Sequence, residues 1–289
     1  MTNSAPIQLG WFSLCLEAAN FQETLDFYQA LGFATVGGNA EHGYVILGNG
    51  PTQITVMSFL QANLICFRGG NVDAISGELA ERGFTVYHQA GHDPTSPDGQ
   101  RVPGRRRYDA SSWPAKFHSD EDGNPLPLEG AGDFLIDDPG GHALYFDSVP
   151  VERVRYDAGE PSAVEGSTGA YDPDKPKLGR FVYQLRVTDP EASRAFYERL
   201  GLQAVKEIPE IGYVELSNGT TIPFTIGLNA KSAPSDVLYF DCEDLASIAA
   251  AAEAGGLKFE MPPTPHPDGA TTAMLRDPEG NLLYFRQGA

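Results

Sequence analysis

Among the side chains able to move protons in the first half of the chain, Glu17, His118, Tyr145 and Asp147 are the candidates. A cofactor-free enzyme would use such a carboxylate, imidazole or phenol as general acid or base. His88 and His92, with Asp93 adjacent, have the composition of metal ligands, as does His118 before Asp120, Glu121 and Asp122. Four-residue spacing brings two histidines together only on a helix, and this stretch is rich in Pro and Gly; both groups read as solvated loop residues. Cys15 and Cys66 lack the adjacent base a nucleophile needs, so they read as small buried hydrophobes or as a facing thiol pair. No phosphate loop, dinucleotide fingerprint or Gly-x-Ser-x-Gly elbow is present.

The elements that would position these groups are announced by a repeat. Leu16, Phe27, Tyr28, Leu31, Gly32, Tyr44 and Asn49 recur as Leu185, Phe196, Tyr197, Leu200, Gly201, Tyr213 and Asn218, at a constant offset of 169 residues. The run Asp138-Pro139-Gly140-Gly141-His142 with Leu144-Tyr145-Phe146 recurs as Asp277-Pro278-Glu279-Gly280-Asn281 with Leu283-Tyr284-Phe285, at an offset of 139. The first half therefore carries 30 extra residues, between Gly91 and Gly132. Self-similarity on this scale means a duplicated unit.

Each half divides again. Phe12 to Leu16 alternates as a strand, and Asn20 with Glu23 forms a capping-box pattern before a helix over 21–31 that Gly32 stops. Short strand-like runs follow at 33–36, 43–47 and 53–59, so the module is β-α-β-β-β. A second module opens at Asn63, with a helix near 72–82 and closing strands at 134–136 and 143–146. A third and fourth repeat the plan from Arg180 and Asp236, with helices near 190–200 and 245–254. The stretch 151–177, rich in Pro, Gly, Ser and acidic residues, reads as a linker between domains at 8–150 and 178–289.

Composition bounds the function. The chain has 289 residues, 41% of them hydrophobic, and a formal charge of −19, which argues against nucleic acid because phosphate binding needs a basic face. No apolar run reaches the roughly 18 residues of a membrane span, and no signal peptide is visible. Three scattered cysteines give no disulfide framework. The expectation is a cytoplasmic protein with a small-molecule partner, without nucleic acid or membrane; a homodimer is left open.

The run from Leu185 to Leu202, LRVTDPEASRAFYERLGL, and the closing 277–285, DPEGNLLYF, resemble the opening and the last turn and strand of a vicinal oxygen chelate module. That superfamily includes glyoxalase I, bleomycin-resistance proteins and extradiol dioxygenases. The resemblance covers both halves. It implies an α+β fold in which tandem βαβββ modules pair into two cup-shaped mixed-sheet domains. For reaction type it says little, because one fold hosts many activities.

The resemblance also implies where a metal would sit: on the first and last strands of a module. The matching positions here are Ser13, Leu64 and Tyr145 in the first half, Val182, Val237 and Tyr284 in the second, and Thr55 or Phe224 at a module end. None is a His, Asp, Glu or Cys, and hydrocarbon side chains cannot replace such ligands. Strand alternation turns Trp11, Ser13, Cys15 and Glu17 into the first cup. A first-cup site would then bind its ligand with Trp11, Ser13, Cys15, Leu64, Cys66, Arg68 and Tyr145, with Trp113 as a cap. The insertion, with Arg101, Arg105, Arg106, Arg107, Tyr108, Trp113, Phe117 and His118, reads as a flap over that cup, as a pairing partner for the acidic surface, or as a seal between halves. The second cup carries Arg180, Val182, Gln184, Arg186, Tyr239, Asp241, Tyr284 and Arg286, as a working site or a structural partner. Two functions remain. One is a binder or metal-independent catalyst for an aromatic or polycyclic metabolite or antibiotic, with Tyr145, Glu17 and His118 as catalytic candidates and no cofactor. The other is a glyoxalase- or dioxygenase-type enzyme, a lyase, isomerase or oxygenase, holding Fe, Zn or Mn through non-standard residues.

Overall fold

The computed structural model describes residues 7–91, 93–160, 174–218, 224–230 and 235–288. Elements follow in two passes. The first runs β1 (Trp11–Glu17), α1 (Phe21–Ala30), β2 (Ala34–Asn39), β3 (Tyr44–Asn49) and β4 (Thr52–Met57). It continues β5 (Leu64–Arg68), α2 (Val72–Glu81), β6 (Tyr87–Gln89), β7 (Arg101–Pro103), β8 (Arg106–Arg107), β9 (Gly132–Asp137), β10 (Ala143–Ser148) and α3 (Pro150–Asp157). The second begins β11 (Arg180–Arg186), α4 (Pro190–Leu200), β12 (Gln203–Ile208), β13 (Tyr213–Ser217) and β14 (Thr225–Asn229). It ends β15 (Val237–Cys242), α5 (Leu245–Ala254), β16 (Met261–Pro265), β17 (Thr271–Arg276) and β18 (Leu282–Gln287). The four βαβββ modules are present, and their strands form two mixed sheets. The start of the stretch read as a linker is helical in α3, while 161–173 lies outside the described residues.

The chain divides into two compact units: Met1–Leu16, Leu60–Ser162 and Arg199–Gly201 form one, and Glu17–Phe59, Ala163–Glu198 and Leu202–Ala289 the other. In the first, strands run in the order β1-β5-β10-β9-β6-β7, with β8 beside β9. Its helix-side face carries Leu14, Ile65, Phe67, Leu144, Phe146, Phe134 and Ile136, all buried. Phe146 stacks on Phe67 at 5.0 Å and on Phe134 at 4.5 Å, and α2 packs on β9 and β10. Burying one such side chain contributes about 1.5–3 kcal/mol, so this face anchors the strands whose other face forms the bowl.

In the second unit, β2-β3-β4 is a meander, and a second sheet runs β12-β13-β14-β11-β15-β18-β17-β16. β11 lies parallel to β14, and β15 parallel to β18, which the helical crossovers require. The Asp-Pro-x-Gly-x motif is a side-chain-stabilised turn. Asp277 accepts from Glu279 N at 3.0 Å and Asn281 N at 2.8 Å, and Asp138 accepts likewise from Gly140 N and His142 N, each at 2.8 Å. Tyr28, fully buried on α1, donates from its hydroxyl to Asp277 Oδ2 at 2.9 Å.

The capping box expected at Asn20 is absent. The Asn20 side chain makes no cap, and its N–H donates instead to Glu279 Oε1 at 2.6 Å. A carboxylate from the closing turn, which also accepts from Thr24 Oγ1 at 3.1 Å, takes the place local reasoning assigned to Glu23.

Candidate functional site

Cross-strand partners in register share a face, so the bowl of the first unit can be read row by row. One row joins Ser13 to Cys66 and Cys66 to Tyr145. The next joins Trp11 to Arg68, Arg68 to Asp147, Asp147 to Asp133 and Asp133 to Arg106. Cys15 pairs with Leu64 on the far side. Ser13, Cys15, Leu64 and Cys66 are buried, and the Cys66 thiol, hydrogen-bonded to Cys15 and out of water, is pushed well up.

The charged row is paired. Arg68 Nη2 lies 3.4 Å from Asp147 Oδ2 and 2.9 Å from Glu152 Oε1 on α3, and Arg106 Nε donates to Asp133 Oδ2 at 2.7 Å. Burial pushes the Asp147 carboxyl up to about 7; Arg68 opposes the shift, while Glu152 and Asp133 reinforce it. Burial, with Asp147 and Asp133, also pushes the Tyr145 phenol well up. The insertion supplies Arg106 to this row, and burial with the nearby Asp147 raises the Tyr108 phenol. Tyr108 Oη lies 3.2 Å from His118 Nδ1, and Tyr108 stacks on Trp113 at 6.1 Å. Trp113 is itself half exposed.

The remaining candidates stand elsewhere. Glu17 lies near the closing turn of the second unit, and burial, Glu279 and Asp277 together raise its carboxyl. His88 Nδ1 lies 3.0 Å from the Gly104 carbonyl, and His92 lies outside the described residues. Arg105 pairs with Asp73, and Arg101 with Asp137.

The second unit holds an open bowl of about 600 Å³. Its base is apolar: Val182, Val237, Tyr239 and Leu282 form one buried cluster, with Met274 and Tyr284 packed against it. Tyr239 and Tyr284, paired in register, stack at 5.8 Å with planes 12° apart. The opposite wall is polar. A row runs Lys206, Glu215, Gly227, Gln184 and Val237 across β12, β13, β14, β11 and β15. Gly227 leaves room in it, since an added Cβ would meet Tyr213 Oη at 2.9 Å and Gln184 Cγ at 3.0 Å.

Tyr213 crosses that gap. Its hydroxyl donates to Glu215 Oε1 at 2.9 Å and accepts from Gln184 Nε2 at 3.2 Å. Glu215 also takes Arg180 Nη1 at 2.8 Å and Lys206 Nζ at 3.3 Å. Burial opposes its ionisation, yet these partners hold its carboxyl below the usual range. Burial pushes the Tyr239 phenol up to about 12, so at neutral pH it is a neutral phenol. Of the residues sequence reasoning named for this bowl, Gln184, Tyr239, Tyr284 and Arg286 line the cavity, Val182 lies in its buried base, and Arg180, Arg186 and Asp241 are not among the lining residues; Lys206, Tyr213 and Glu215 were missed. The signal available was the recurrence of Tyr44 as Tyr213, which alternation places on one face with Glu215.

A divalent cation does not fit the positions the superfamily implies. Ser13, Leu64 and Tyr145 offer a hydroxyl, an alkyl group and a phenol held protonated by burial; Val182, Val237 and Tyr284 offer two alkyl groups and a phenol within an apolar cluster. Among the described residues, no group of three or more His, Cys, Asp or Glu side chains converges as a metal site. No helix among them is long and apolar enough to cross a membrane.

Residues 177–285 match the Glyoxalase/Bleomycin resistance protein/Dioxygenase superfamily. No curated protein sequence matches the chain. Among solved structures, a catechol 2,3-dioxygenase is similar at 16% identity and a TM-score of 0.56, over 97% of this chain and 92% of that one. A 2,3-dioxygenase from Pseudomonas sp. KL28 is similar at 14% identity and a TM-score of 0.57, over 100% of this chain and 94% of that one. A Mn(II)-bound glyoxalase from Novosphingobium aromaticivorans is similar at 13% identity and a TM-score of 0.53, over 96% of this chain and 80% of that one. At such identities the likeness is one of fold. The second half of the chain thus matches the superfamily's model, and the whole chain shares its fold with these dioxygenases and this glyoxalase.

Proposed function

We propose that the protein binds an organic small molecule with an aromatic ring in the bowl of the second unit, without a protein-held metal. The observation that carries this reading is a cavity of about 600 Å³ whose apolar base ends in the stacked Tyr239–Tyr284 pair. Ligand sites are concave and mostly apolar, with a few placed polar groups, and this bowl has that construction. A planar ligand would extend the tyrosine stack and turn its polar edge to Gln184 and Lys206. The implied metal corner is filled by Val182, Val237 and Tyr284, which supports binding through stacking and hydrogen bonds rather than coordination.

Two measurements test this. Thermal-shift screening of the full chain against aromatic metabolites and polycyclic antibiotics is expected to find a stabilising ligand, whose effect Tyr284→Ala reduces. Elemental analysis of protein purified without chelators is expected to find less than stoichiometric iron, zinc and manganese; one equivalent would overturn the metal-independent reading.

A second reading, metal-free proton transfer in the first bowl, is favoured by Asp147, held near 7 beside Tyr145 and Arg68. It predicts that Asp147→Asn and removal of residues 95–128 abolish turnover of any substrate found, while binding to the second bowl persists.

A further inference from the structure

We infer that the bowl of the second unit selects aromatic molecules carrying an anionic group, a carboxylate above all; this rests on the reading of that bowl as the ligand site. The chain is strongly acidic, at −19, and taken whole it would favour a cationic ligand. Recognition depends, however, on the charges that face the cavity, because distant exposed charges are screened within a Debye length of about 8 Å at physiological salt. Three charged side chains line it: Lys206, Glu215 and Arg286.

The single carboxylate among them is already consumed. Glu215, almost wholly buried at 3% side-chain exposure, accepts from Arg180 through both oxygens, at 2.8 and 3.4 Å, and from Tyr213 at 2.9 Å. A cationic ligand would have to displace one of these partners. The cations are less committed. Lys206 reaches Glu215 only as a further claimant on Oε1, at 3.3 Å, and is 45% exposed. Arg286 pairs at 3.5 Å with Asp268, whose side chain is 62% exposed, and such solvated pairs are weak. Among the side chains that line the cavity, a carboxylate therefore meets two donors and no acceptor charge without partners; Asp241, in register with Arg286 and 3.6 Å from Arg180, is not one of them. Charge-assisted hydrogen bonds to it are about twice as strong as neutral ones. The Tyr239–Tyr284 stack supplies the surface for the ring.

The test is calorimetric titration of the full chain with three probes of one shape: 2-naphthoate, 2-naphthamide and 2-naphthylmethylamine. Wild type is expected to bind the carboxylate roughly tenfold more tightly than the amide, and the amine most weakly. Arg286→Gln and Lys206→Gln, both at partly exposed positions, are expected to weaken the carboxylate severalfold more than the amide, so that its advantage shrinks. If the amide or amine binds as tightly as the carboxylate, or both variants keep the wild-type ratio, the inference is overturned while the bowl remains the ligand site. If none of the three binds, the reading of the bowl as an aromatic site is overturned with it.

Discussion

Asp147→Asn, a change that keeps shape and removes titration, reads out the electrostatics of the first bowl. The wild-type carboxyl is raised to about 7 by burial, although Arg68 lies 3.4 Å away, and its side chain is 23% exposed. In the unfolded chain an aspartate titrates near 3.9, roughly 3 units lower. The folded state thus binds a proton that the unfolded state releases. Because the folded value is the higher one, the associated stability is fully present below about pH 4 and is lost as pH rises through about 7. Each unit in that window corresponds to about 1.4 kcal/mol, so between about pH 5 and 7 the wild type should lose about 2 kcal/mol relative to the asparagine variant. Urea unfolding of both proteins at the two pH values measures the double difference and cancels the contribution of every other carboxylate. Parallel pH profiles would refute the reasoning. So would a wild type that gains on the variant as pH rises, since Arg68 would then be holding Asp147 ionised.

Three further outcomes follow from the geometry. Tyr284→Ala removes one ring of the stacked pair and should weaken an aromatic ligand about tenfold by calorimetry, in line with roughly 1 kcal/mol or more per aromatic contact. Tyr28→Phe deletes a buried donor to the Asp277 carboxylate and should lower the urea midpoint by the equivalent of about 1.5–3 kcal/mol; an unchanged midpoint would mean the turn's own hydrogen bonds suffice. Gly132→Ala puts a side chain at φ +136° and drives its Cβ into the Arg106 carbonyl oxygen. It should cost about 1–3 kcal/mol and increase proteolysis between 101 and 131, where β8 is held to β9.

Much of the framework was legible in the residues. The 169-residue recurrence and the 3.6- and 2-residue periodicities place α1, α2, α4 and α5 within one or two residues of their observed ends, and alternation separates Leu14 from Ser13 and Cys15. What misled was local reasoning about groups with distant partners. Asn20 and Glu23 have the spacing of a capping box, yet the cap comes from Glu279, 259 residues away. Glu215 and Lys206, charged residues on amphipathic strands, look like solvent-face positions. In a sheet curved into a bowl that face is the inside. The long insertion read equally as flap or surface; Arg106 and Tyr108 prove to stand beside Asp133 and Asp147.

By itself, the sequence determined the module, its repetition and the alternation of faces along β1. Those properties follow from periodicity and turn chemistry within a few residues, which no later packing can reverse without burying polar groups. Only the tertiary structure decided which side chains meet across strands: Tyr213 crosses the gap at Gly227 to reach Glu215, and Tyr239 stacks on Tyr284 at the base of the second bowl. It also decided which charged groups line the second bowl and which of them are already paired. Net composition counts every carboxylate equally, whereas a cavity feels the few that face it and lack a partner.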